Sequence, residues 1–175
     1  MTALRRARAR GATILEFTLI GIGMIFVFLS FFEVARGMWI YQTMAYAVRE
    51  GARYASVHGK DCAPPYTPNP GCQVTVSQIA AVIKTAGPGI DPNNTTVALT
   101  DANGTATSDT LANLIANYPT TNWPPSTAYS PGQTVQVKAT YPFRTFLAMF
   151  WVGGHPLGDS QVFKLGASST ETIQF

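Results

Sequence analysis

Charge and catalytic vocabulary are what this sequence has little of. Only 12% of its 175 residues are charged, against 46% hydrophobic ones, an apolar balance for a soluble domain. Histidine and cysteine occur twice each. Neither His58 nor His155 has a second ligand at metal spacing, so a zinc site has no support. No GxSxG, P-loop, HExxH or dinucleotide fingerprint is present, and the acidic residues form no acid/base arrangement. No enzyme activity, metal or cofactor is therefore expected. The net charge of +3 is not a nucleic-acid signal either. Arg5, Arg6, Arg8 and Arg10 all fall in the first ten residues, and the remaining eight basic residues against nine acidic ones leave −1. Scattered singly, they make no patch for a phosphate backbone.

What the sequence does have is a long apolar run directly after those arginines. Sixteen residues from Phe17 to Phe32 carry no charge, and from Ala12 to Ala35 only Glu16 and Glu33 interrupt. At about 1.5 Å per residue this stretch crosses a hydrocarbon core of ~30 Å. Arginines before the run place the N-terminus in the cytoplasm and the rest outside. A secretory signal would need a small-x-small site after the run, where "FFEVARGMWIYQ" offers charges and bulky residues. The better cleavage candidate precedes it, between Gly11 and Ala12. Glu16 is the anomaly, because an ionised side chain in hydrocarbon costs roughly 2.5–3.5 kcal/mol even on a lenient scale. On a helix Ala12 and Glu16 lie one turn apart on one face.

These residues carry a resemblance. "ARGATILEF" resembles the processing site of type IV pilins and pseudopilins, with glycine before the cut and glutamate at the fifth mature position. "AYAVREGARYASVHG" resembles the "AAREGARYA" stretch of TadE-like proteins of tight-adherence pilus systems, and is the more specific match. The two cover roughly residues 5–59. The resemblance implies a basic leader over 1–11, a transmembrane helix and stalk over 12–58, and a periplasmic or extracellular domain over 59–175. It implies cleavage by a prepilin-type peptidase, residence in the inner membrane, and partners among other pilin or pseudopilin subunits and the pilus assembly platform. Glu16 would neutralise the Ala12 ammonium of a neighbouring subunit. The expected function is that of a minor pilin or pseudopilin in pilus assembly. The competing reading is a permanently anchored periplasmic binding module, which needs no cleavage.

Past the membrane the helical pattern continues through a seam of Met38, Tyr41, Ala45, Val48, Ala52 and Ala55, expected to pack on the chain's own domain. Ala47, Gly51 and Ala55 form a small-xxx-small track that lets another helix approach closely, the candidate contact with neighbours. Arg49, Glu50 and Arg53 make a charged face that reads as solvated; the resemblance implies an interaction surface between subunits as the other reading. His58 and Gly59 are expected to end the helix. Cys62 and Cys72 flank the turn-rich "APPYTPNPG". In an oxidising compartment they close an eleven-residue ring worth about 2–3 kcal/mol; in a reducing one they stay thiols. The outward topology favours the bond.

The outer segment is expected to be α+β and pilin-like: helices on an antiparallel sheet of about three strands. Thr75 and Gln78 signal a capping box for a short helix with Ile79, Val82, Ile83 and Ala86 on its apolar face, stopped by Gly87-Pro88. Strand patterns cover Thr95–Thr100, Thr134–Tyr141 and Val162–Phe175. The polar insertion 101–133 holds a helix pattern at Leu111, Leu114, Ile115 and Tyr118. Its "DANGTATSD" is a poor calcium loop, with the glycine misplaced and the terminal glutamate missing. In "FRTFLAMFWVGG", Phe143, Phe146, Leu147, Phe150 and Trp151 recur at helical spacing.

Overall fold

The apolar run is helical without interruption. A computed structural model describes residues 2–58 (side chains from Thr13), 73–128, 130–145 and 163–174, and its first element is α1, Thr2–Ser56. Within the run, the Thr18 hydroxyl donates to the Ile14 carbonyl and the Ser30 hydroxyl to that of Phe26, both at 2.8 Å. Both hydroxyls are thus satisfied by the helix's own backbone. The chain divides into two units, Met1–Gly37 with Thr145–Pro156, and Met38–Arg144 with Leu157–Phe175.

In the second unit the core joins the last turns of α1 to two short helices and a sheet. Met44, Ala47, Val48, Ala52 and Ala55 are buried together with Val76, Ile79 and Ile83 of α2 (Val76–Ala86), and with the inner face of the sheet. The capping box of α2 forms as its sequence predicts. The Gln78 amide donates to Thr75 Oγ1 at 3.3 Å, and the Thr75 amide donates to Gln78 Oε1 at 2.9 Å, satisfying two donors that the first turn leaves open. Thr75→Ala is expected to cost about 1 kcal/mol, read as a lowered unfolding midpoint with unchanged helix content.

The sheet has four antiparallel strands in the order β2-β1-β3-β4, with β1 Thr96–Thr100, β2 Ala106–Thr110, β3 Thr134–Phe143 and β4 Phe163–Thr172. Val97 and Leu99 oppose Ala139 and Val137, and Ala139 opposes Ala167. The period of two puts these side chains on the buried face. Strand β2 was not expected, because "ATSDT" has no apolar alternation. It forms through its turn. The Asp101 carboxylate accepts the amides of Asn103 and Thr105 at 2.9 and 2.8 Å, and Gly104 supplies the left-handed φ of +79° the turn needs. The stretch that looked like a weak calcium loop is this hairpin. Thr110 then caps α3, Leu111–Asn117, which buries Leu111 and Leu114. The cap is Thr110 itself, while Asp109 accepts from the Asn113 amide group at 2.9 Å.

Two expected patterns are corrected. Phe143 belongs to β3, where extended backbone buries it, and not to a helical stripe; the other members of that stripe, from Phe146 to Trp151, lie outside the described residues. Phe163 is 67% exposed despite its place in an alternating run, while its cross-strand partner Phe143 is covered. Gly59, the Cys62–Cys72 pair and His155 also lie outside the described residues.

Candidate assembly surface

Between Ile14 and Val34, the large apolar side chains of α1 are exposed, up to 78% for Phe17 and 72% for Phe32. A helix this long and apolar has the composition and length of a membrane anchor. Water would not tolerate so continuous a surface, whereas hydrocarbon or other apolar helices would cover it. Gly21 and Gly23 open onto space, with nothing within 4 Å of an added Cβ. Glu16 stands exposed among Leu15, Phe17, Leu19 and Ile20, and among the described residues it has no ion-pair partner. Gly11 and Ala12 lie within the backbone of α1.

The second carboxylate of the run is handled differently. Glu33 lies 3.6 Å from Arg36, one helical turn on, and its side chain is only 12% exposed. The pair cancels charge at the far end of the apolar stretch, which lowers the cost of placing either group near hydrocarbon. The spacing of three was visible in the sequence as the signal for it. Beyond the pair, Trp39 at 64% and Tyr41 at 45% remain exposed, residue types suited to a membrane–water boundary.

Along the stalk, the buried face is turned from the one the seam predicted. Val48, Ala52 and Ala55 are buried, but Met38 is 54% exposed and the covered positions include Met44, Ala47 and Gly51. The small-residue track faces inward. A Cβ on Gly51 would meet Ile83 Cγ1 at 2.5 Å and Cδ1 at 2.8 Å, and Ala47 Cβ would sit 3.3 Å from a Cβ on Gly87. Gly51 and Ala47 therefore make their close approach within this chain, to α2 and its cap, and all three residues of the track are buried. The sequence reads the track as a contact with neighbours; small residues permit a close approach but do not say which helix makes it.

Arg49, Glu50 and Arg53 stand on the other side of α1. The arginines are exposed and Glu50 half-buried. Together with Tyr46 and Glu171 they line a groove of about 480 Å³. Glu171 reaches it because the end of the chain is tied to the end of α1: the Gln174 amide donates to the Ser56 carbonyl at 3.1 Å, satisfying an acceptor that a helix terminus leaves open. The last turn of α1 is closed further by Ser56 Oγ on the Arg53 carbonyl at 3.0 Å and by His58 Nδ1 near the Tyr54 carbonyl at 2.7 Å.

Residues 11–53 match the family model of TadE-like proteins. The matched segment is the apolar helix, its two glutamates and the stalk as far as Arg53. No curated protein and no solved structure matches the chain.

Proposed function

We propose that this chain, TadE-like over residues 11–53 and pilus-associated on that ground, acts as a minor pilin or pseudopilin in the assembly of a tight-adherence pilus. The observation that carries the reading is the exposed apolar helix with Glu16, a carboxylate without an ion-pair partner among the described residues, four residues after Ala12. A prepilin-type peptidase removes residues 1–11 and frees the Ala12 ammonium. The helix is held in the inner membrane with its N-terminus cytoplasmic and the following domain periplasmic. In assembly the Glu16 carboxylate of one subunit meets the Ala12 ammonium of the next, so each buried charge gains its opposite. Its partners are other pilin or pseudopilin subunits and the assembly platform. The exposed Arg49 and Arg53, with the half-buried Glu50 between them, present a contact surface beyond the membrane, and Cys62 and Cys72 are joined in the oxidising compartment. The work is done by contacts between helices, not by chemistry.

Complementation tests this. Cells lacking the protein should lose pili and regain them with the wild-type chain. Gly11→Val should leave a full-length precursor in the membrane and restore no pili, because a branched residue does not fit a site shaped for glycine. Normal piliation by an uncleaved Gly11→Val chain would refute the pilin role.

A further inference from the structure

The stalk handles charge unlike the membrane segment. Glu33 is paired with Arg36, whereas Arg49, Glu50, Arg53 and Glu171 converge on one groove and, among the described residues, form no ion pair with one another or with anything else. Two positive and two negative groups leave the face neutral overall. An anionic lipid or a nucleic acid would select a face of one sign, so the complementary surface must itself carry both signs. Tyr46, 57% exposed, stands beside them and also borders an adjoining, more apolar hollow with Ala81, Val82 and Ala86. An exposed tyrosine flanked by arginines is the composition of an interface centre.

We propose that this face docks a second copy of the chain, side by side and parallel. Every copy enters the membrane in the same direction and to the same depth, so a two-fold axis along the membrane normal brings each residue level with its counterpart. A face of one sign would then repel itself. This face does not. Arg49 and Glu50 differ by about 1.5 Å in height along α1, within reach of either long side chain, so each arginine meets the glutamate of the other copy. Arg53 and Glu171, which line the same groove, make the second reciprocal pair. The pairing rests on the membrane anchoring and stalk contact surface proposed above and names the partner; it needs nothing from Ala12 or Glu16, so it can fail separately from processing and assembly through those residues.

The test uses the full-length chain in native membranes. Tyr46→Cys under mild oxidation is expected to give an adduct of twice the chain's mass, absent without the added cysteine. In that background, Arg49→Glu with Arg53→Glu, or Glu50→Arg with Glu171→Arg, should each lower the adduct about 10-fold, because like charges now face each other. Co-expressing the two reversed chains under different tags should restore an adduct between them, which misfolded chains would not give. Should either reversal lower the unfolding midpoint, Arg49→Gln with Glu50→Gln replaces it and should cut the adduct about threefold. Absence of the Tyr46→Cys adduct, an adduct only to a different protein, or a yield indifferent to the charge changes overturns the proposal.

Discussion

Glu16→Ala is expected to abolish pilus assembly while leaving the chain in the membrane at normal abundance. Insertion should be unchanged or improved, since the substitution removes the one carboxylate in the first turns of the apolar run. Assembly responds in the opposite sense. Once helices pack together, the Ala12 ammonium of a neighbouring subunit is buried without its counter-charge, and breaking such a pair by removing one partner costs about 3–5 kcal/mol. At about 1.4 kcal/mol per factor of ten, that is a loss of more than 100-fold in the assembly equilibrium. Glu16→Gln should be as poor or intermediate, because an amide hydrogen-bonds but does not neutralise. The measurement is cross-linking to pilus partners in membranes, with cleavage and abundance checked first. Wild-type contact and piliation by Glu16→Ala would reduce Glu16 to an exposed residue at the membrane boundary.

The second large effect falls on the fold. Alanine in place of glycine normally stabilises a helix by about 1 kcal/mol, and Gly21→Ala should do so, since nothing lies within 4 Å of its added Cβ. At Gly51 the sign reverses. The new carbon would sit 2.5 Å from Ile83 Cγ1, and Ile83 is 3% exposed in a packed core, so α2 must shift or Ile83 must leave its rotamer. Gly51→Ala is expected to lose about 1–2 kcal/mol and Gly51→Val about 3 kcal/mol, the latter lowering the unfolding midpoint by roughly 10 °C in detergent. Ile83→Ala opens the space that the added group needs, so the double variant should be less destabilised than the sum of its parts. Unchanged stability of Gly51→Val would mean that α1 and α2 do not approach closely there.

Much of the architecture was legible because it is local. The long apolar run marked the first part of α1, the Thr75/Gln78 box marked the start of α2, and alternation marked β3 through Val135, Val137 and Ala139. Strand β2 was hidden because its pairing runs through the backbone and the Asp101–Gly104 turn, with no apolar side chain to signal it. The candidate site was legible in part. Glu16 stood out by its cost in an apolar run, and the exposed side of the stalk could be read from Arg49 and Arg53. The destination of Ala47, Gly51 and Ala55 was not legible, because small residues announce a close contact without naming the partner. Glu171 joins the groove only through the tertiary tie between Gln174 and Ser56, which no local pattern records.

The central claim is that the exposed apolar helix is a processed assembly element, and its most direct test is the intact mass of the protein isolated from native membranes. The expected mass is that of a chain beginning at Ala12, with Gly11 and everything before it removed. A chain still beginning at Met1 would contradict the claim, leaving a permanently anchored module whose helix holds it in the membrane and is never lent to a pilus.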